Sequence, residues 1–428
     1  MAGSNGRETG YVNTRSLEMA STAVLIKNRN FRRLWAAQFC TVTMIYGLSL
    51  AGIALVEQQT QSSAQTGLVI LSSILPAFLT SLVSGAVVDR WGKRRVLIAS
   101  HLARGLVSLA FWAGTSYLSP NLALITVFTV NVAGAIFAQF ALPAELSLLP
   151  DLVEPSSLVP ANALLQVSML VAEGLGIVIL TPVTMKLFGT SAVGLIGAGL
   201  CLLGVILVTG LPKDPSQEHQ PDSSSRAWKD LVSHLQGGWR TISQDRLLTV
   251  VAIQATVAAT LLLVLLSLLP GLLSRHLGLA VENAPLLLLL GGLGFVFGSF
   301  LMSRWHRRLA RPAWIAVGLT GLGISIILLS LLSGQPGQVW LILLPIFGMG
   351  LTLALVIVSA RVVLQERPPA EMRGRVIAAQ LALANAVAVL PLLLGGSLAD
   401  QVGIRPVMSL LGLLALGAGA IGFRQVRK

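Results

Sequence analysis

GAVVDRWGKRRVLIAS, residues Gly85–Ser100, is the stretch that decides how this chain is read. An apolar segment flanks it on each side, and each is long enough to cross roughly 30 Å of hydrocarbon. Asp89 stands at the end of the first segment. Gly92 permits a tight turn, and Lys93, Arg94 and Arg95 follow before apolar sequence resumes. Three consecutive basic residues mark a short loop held on one side of a membrane. Topology explains them but not Arg90's neighbours Asp89 and Gly92, nor Gly85. An acid at this place complements the positive end of a neighbouring helix, worth about 0.3–1 kcal/mol when exposed and more when partly buried. Gly85 admits a close neighbour.

Working outward, apolar runs recur at about 34–56, 64–88, 96–117, 121–143, 163–185, 191–211, 247–272, 284–303, 312–333, 338–362, 375–399 and 404–423. Only 11% of residues are charged and 54% are hydrophobic, whereas a soluble domain carries about 25% charge. In lipid each backbone group must be satisfied within its own segment, so these runs are expected to be twelve transmembrane helices. The net charge of +13 does not point to nucleic acid, because of where it lies. With the N-terminus in the cytoplasm, all but four of the 30 Lys and Arg fall on cytoplasmic segments. The exceptions are Arg104, inside a span, and Lys186, Arg275 and Arg405 on the other side. This bias predicts both termini inside a cytoplasmic (inner) membrane, with anionic lipid as the neighbour of the basic loops.

Residues 1–30 read as a flexible cytoplasmic tail without the apolar core of a cleavable signal. Residues 31–211 and 247–428 are two six-helix halves. Between them, 212–246 opens with a disordered-linker composition, KDPSQEHQPDSSSR. It continues with Trp228, Leu231, Val232, Leu235, Trp239 and Ile242 at helical spacing, which predicts an amphipathic helix on the membrane face. A weak repeat supports the division: SRWHRR at Ser303–Arg308 follows the eighth run as DRWGKRR follows the second. Repeats of this kind build transporters whose substrate site lies between the halves near the midplane. Cys40 and Cys201 lie in apolar runs and form no metal spacing. The five histidines are isolated, and no HExxH, GxSxG or phosphate-binding loop occurs, so neither an enzyme nor a cofactor is expected.

The Gly85–Arg95 loop resembles the signature loop of the major facilitator superfamily. Together with NFRRLWAAQF entering the first run, HLARGL in the third, LPDLVEPSSLVPANAL after the fourth and PPAEMRGRV after the tenth, it is similar to the branch holding macrolide-efflux and enterobactin-export proteins. The resemblance covers about Asn30 to Phe423. It implies two pseudo-symmetric six-helix bundles around a central cavity that opens alternately to each side. It also implies a conformational latch made of Gly85, Asp89, Arg90, Gly92, Lys93, Arg94 and Arg95. The sequence departs from the branch at Met44-Ile45, where Gly-Asp is common, at His101, where an acid is common, and in EGLGIVILTP, which lacks a Gly-Pro pair. These departures bear on proton antiport rather than on fold.

Glu173, near the middle of the fifth run, is the acid with the clearest claim to function. At that depth a charge costs about 2.5–3.5 kcal/mol, so it is expected to face the interior and to serve coupling or substrate contact, or else to make a structural bond. Arg104, with His101 on the same helical face, is expected to have a structural role. Asn131, Gln139, Gln254, Gln380 and Asn385 either line the cavity or join helices. Trp35, Tyr46, Phe137 and Trp340 are equally packing, interfacial anchors or substrate walls. Glu145, Asp151 and Glu154 make the loop after the fourth run acidic, and Arg361, Arg373 and Arg375 flank Glu366 in the matching loop after the tenth. These loops are expected to meet as ion pairs closing the cytoplasmic mouth, or to be solvated charge. The expectation is an all-α integral membrane protein whose partners are protons, lipid and a small molecule. As a monomeric secondary transporter it would export amphipathic drugs, macrolides or siderophores. A lysophospholipid flippase of the same fold is the alternative, and a non-transporting membrane sensor a third.

Overall fold

In the computed structural model, residues 25–212, 224–305, 308–333 and 339–426 are described. Twelve of their helices are long and apolar enough to span a membrane. In chain order they are α1 Arg29–Thr60, α2 Ser63–Trp91, α3 Lys93–Tyr117, α4 Pro120–Leu152, α5 Leu158–Phe188, α6 Ala192–Thr209, α7 Arg246–His276, α8 Val281–Trp305, α9 Arg311–Leu332, α10 Trp340–Glu366, α11 Ala370–Val402 and α12 Ile404–Val426. Nine of the expected runs fall within one helix; those at 191–211, 312–333 and 338–362 overrun their helix by one to three residues. The helices extend beyond the runs because polar residues at the ends continue the backbone hydrogen bonding past the apolar boundary.

The two halves pack alike. Helices α2–α4, α3–α4, α3–α6, α1–α6 and α1–α5 adjoin in the first bundle. Their counterparts α8–α10, α9–α10, α9–α12, α7–α12 and α7–α11 adjoin in the second. Glycines make the close crossings. A Cβ on Gly176 of α5 would lie 2.4 Å from the Thr43 carbonyl oxygen of α1, and one on Gly294 of α8 would lie 2.1 Å from that of Phe347 on α10. Each approach excludes any larger residue.

The expected tail ends before residue 30. Leu25 is buried, and Asn28 caps α1 by accepting from the amides of Asn30 and Phe31 while its own amide reaches the Leu152 carbonyl of α4 at 2.7 Å. The expected amphipathic segment is a helix, Ser224–Gln244. Ile242 is buried, and Gly237 and Gly238 press this linker helix against Met372, Arg375 and Ala379 at the start of α11. Residues 1–24 and 213–223 lie outside the described residues.

One face of the molecule carries the helix termini at Arg29 and Val426, the linker helix and the basic loops. It is called the basic face below, and the opposite one the far face.

Candidate functional site

The bundles meet at the far face. At the end of α1, the Glu57 carboxylate is fully buried, 3.3 Å from Nε of Arg275 at the end of α7, and it accepts from the Ser274 hydroxyl at 2.9 Å. Nη1 of Arg275 lies 3.6 Å from Oδ1 of Asp400 at the end of α11. Asp400 also crosses to the first turn of α2. It accepts from the Ser62 hydroxyl at 2.7 Å and from the amides of Ser63 and Ala64 at 2.7 and 3.1 Å. A carboxylate at a helix N-terminus both satisfies free N–H groups and opposes the helix dipole. Behind it Gly396 touches α2, since a Cβ there would lie 2.7 Å from Ala64 Cα and the Ser63 oxygen. Gln58 donates to Glu282 at 3.2 Å, and Lys186 to Asn283 at 3.3 Å, on the flank.

The basic face is arranged differently. Among the described residues, every ion pair there stays within one bundle: Lys93 with Asp151 at 2.7 Å, Arg311 with Glu366, and Arg367 with Asp245 at 2.8 Å. The expected cross-bundle gate is not made in this conformation. Arg361, Arg373 and Arg375 are exposed, Arg375 against the linker helix. Asp151 is taken by Lys93 of its own bundle. Glu145 is not at the mouth: it is 4% exposed, inside the first bundle, facing Gln38 and Arg104. It lies two turns back along α4 from Leu152, about 10 Å from the end of the helix at 1.5 Å per residue. Ion pairs thus join the bundles at the far face, while at the basic face, among the described residues, none crosses between them and the linker helix lies against both α2 and α11.

In the latch loop, Asp89 and Arg90 are exposed, and a Cβ on Gly85 would touch nothing within 4 Å. Gly92 has φ +87°, which only glycine adopts at little cost. Arg94 donates to the Val208 and Thr209 carbonyls ending α6, Lys93 holds Asp151, and Arg95 is exposed.

Glu173 sits half-buried in α5, facing the Tyr46 hydroxyl of α1. The backbone widens immediately after it into a π-helical stretch, Leu175–Leu180, with Gly176 against α1. Such widenings recur at functional sites. Asn131 joins helices: its amide donates to the Val69 carbonyl and to the Ser72 and Ser73 hydroxyls of α2, all within 3.0 Å. Gln254 is buried toward Gly422 of α12, away from the bundle interface, with neither amide atom bonded. Gln139, Gln380 and Asn385 are half-buried. Sequence reading also missed a wholly apolar cavity of about 360 Å³ inside the second bundle, walled by α7, α8 and α10, with Leu265, Phe295 and Met349 among its lining.

The model of the Major Facilitator Superfamily matches residues 34–390. The chain belongs to this superfamily. It is 25% identical over 414 residues to the multidrug efflux pump Tap of Mycobacterium tuberculosis, covering 93% of this chain and 94% of that protein. It is 28% identical over 211 residues to the enterobactin exporter EntS of Citrobacter koseri, covering 47% and 49%. Among solved structures, a bacterial homologue of the lysosomal transporter Spinster, in an inward-facing unoccupied conformation, superposes with TM-score 0.69 at 15% identity over 94% of this chain and 98% of that one. The nucleoside transporter NupG superposes with TM-score 0.68 at 14% identity over 93% and 99%. At these identities the structures establish the fold. The chain is therefore a membrane transporter and not an enzyme.

The residues missed by sequence reading are Glu57, Arg275 and Asp400, and a signal for the last was present. Gly396, Asp400, Gly403 and Arg405 repeat the spacing of Gly85, Asp89, Gly92 and Arg94. The likeness extends to geometry. Gly403 has φ +94°, and Arg405 donates to the Ser330 and Leu331 carbonyls ending α9, as Arg94 does at α6.

Proposed function

We propose that this chain is an exporter of amphipathic small molecules, such as drugs, macrolides or siderophores, driven by proton antiport and working by alternating access. The basic face is cytoplasmic, the membrane is the inner membrane, and the working unit is a monomer. The observation that carries the reading is the match to a multidrug efflux pump along nearly the whole of both chains. Glu173 supports it from the geometry: an acid in the middle of α5, facing Tyr46 and next to a π-helical widening, suits contact with the cationic part of a substrate. The apolar cavity of the second bundle suits the lipophilic part. The Asp89 loop is the latch of the opposite conformation, formed when the basic face closes and released here.

The test is accumulation of lipophilic dyes, macrolides and siderophores in a bacterial host lacking its own pumps, with wild type compared with Glu173→Gln, with and without a protonophore. Lower accumulation in wild type alone, abolished by the protonophore, is the expected result. No difference for any compound, together with translocation of a spin-labelled lysophospholipid, would replace drug export by lipid flipping.

A further inference from the structure

The first bundle encloses a second group of ionisable side chains that lies apart from Glu173. His101 and Arg104 of α3 are 0% and 2% exposed, and Glu145 of α4 is 4% exposed. Every helix packed around them contributes. From α1, the Gln38 amide faces Glu145, and the Thr41 carbonyl accepts from Nη2 of Arg104 at 2.6 Å. From α5, the Ser168 hydroxyl reaches Gln38 at 3.5 Å. From α6, the Cys201 thiol faces Arg104, and Gly204 lies against the His101 ring. Among the described residues, no other charged group faces the site.

The group is incompletely paired. Arg104 and Glu145 face each other but form no ion pair within 4 Å, and Nε of Arg104 and both ring nitrogens of His101 have no hydrogen-bond partner. A buried charge without its counter-charge is costly, and a guanidinium does not give up its proton. Arg104 here donates to the Thr41 carbonyl while the Gln38 amide faces Glu145, surroundings that suit a charged Arg104 beside an uncharged acid.

We propose that Glu145 is the proton-carrying residue of the transport cycle, with Arg104 and His101 as its positioning residues. This rests on the proton-antiport reading given above. When the acid is protonated, Gln38 holds it and Thr41 holds Arg104. When the carboxyl O–H breaks, its proton passes to water of the cytoplasmic vestibule, and the carboxylate that remains is drawn to Arg104. That movement shifts α4 and α1 against α3 and so couples charge to bundle geometry. Glu173 then keeps the substrate contact.

The experiment uses the full chain in proteoliposomes with tetraphenylphosphonium as probe, measuring both counterflow, which needs no gradient, and uptake driven by a pH gradient. Glu145→Gln is expected to keep counterflow within about twofold while losing pH-driven accumulation at least tenfold. Glu173→Gln is expected to lose both. Should Glu145→Gln fail to fold, Glu145→Asp is expected to keep coupling with a displaced pH midpoint, and Arg104→Lys to displace it as well. Retained pH-driven accumulation in folded Glu145→Gln, or an unmoved midpoint in Glu145→Asp, overturns the assignment while leaving the exporter reading intact. Wild type that shows counterflow but no pH-driven uptake overturns this assignment and proton antiport together.

Discussion

Two loops of one design sit on opposite faces of this transporter, and only one is engaged. At the far face, Asp400 caps α2, Gly396 touches its backbone and Arg275 ties both to Glu57. At the basic face, Asp89 is exposed and Gly85 faces open space. Yet both loops turn at a glycine with positive φ, and both use an arginine to cover the end of a neighbouring helix. The invariant parts are those internal to a bundle: the turn, and the arginine on the carbonyls. The variable parts, the acid and the first glycine, are those that reach across. A chain of inverted repeats thus places the same loop on each side, and on the proposed alternating-access cycle the two copies would be made in turn.

The largest effects are expected where backbone meets backbone. Gly396→Leu would push a side chain into Ala64 and Ser63, and main chain cannot retreat as a side chain tip can. Far-face closure should fail and transport should fall at least tenfold. The readout is cross-linking of Gln58→Cys to Glu282→Cys by a short bismaleimide, in a chain with Cys40→Ser and Cys201→Ala. Gly85→Leu should leave this cross-link unchanged, because nothing lies within 4 Å of its Cβ. It should still slow transport through the opposite conformation. Equal effects of the two variants on the cross-link would end the comparison.

Next in size is Arg275→Gln. It leaves the fully buried Glu57 carboxylate without a cation. Breaking a buried pair costs about 3–5 kcal/mol, and the part-exposure of Arg275 reduces this to about 2 kcal/mol, a shift in the closure equilibrium on the order of 30-fold. Distances between spin labels across the far face would report it. Asp400→Asn follows. Asparagine still caps a helix, so the loss is the ion pair with Arg275 and the charge on the α2 dipole, about 1 kcal/mol. Asp89→Asn should change neither the distances nor thermal stability in this conformation, and should lower transport alone. A stability loss in Asp89→Asn would mean that the loop is engaged in the state described here.

How much of this was legible follows from which forces act over short stretches of sequence. The twelve helices and the two halves were readable because spanning a membrane imposes an apolar run wherever it occurs, and positive loops record the side. Residue type set Glu145 at the mouth, and for Asn131 and Gln254 it left open whether they line the cavity or join helices. A polar side chain in a span signals only that a partner exists, and the partner depends on helix rotation: Asn131 turned out to face α2, Gln254 to face α12, and Glu145 to point inward rather than to the mouth. Glu57 was passed over because it ends an apolar run, where an acid normally reaches water. Only packing against α7 buries it. Asp400 is legible, since the Gly85–Arg94 spacing recurs at Gly396–Arg405, but it recurs on the opposite face, so it does not show when the two halves are laid side by side in parallel.

The smallest expected effect sharpens the contrast between ion pairs within and across bundles. Asp245 caps α7, accepting from the amides of Leu247 and Leu248 at 2.8 and 3.2 Å, and also pairs with Arg367 at the end of α10. The Arg367 guanidinium, with the two amides, holds the Asp245 carboxyl below its usual value of 3.8. A carboxyl lowered on folding contributes stability that is present above the unfolded value and lost as pH falls through the folded one. Arg367→Gln should therefore cost a few tenths of a kcal/mol at neutral pH, since the pair is largely exposed, and nothing once pH is well below 3.8, where both proteins carry the neutral acid. Unfolding in detergent between acidic and neutral pH would show the two curves converging on the acid side. Because both residues belong to the second bundle, the far-face cross-link should not respond at all. If it responds, the pairs of the basic face also bias the equilibrium, and the rule that only cross-bundle contacts set the conformation must be given up.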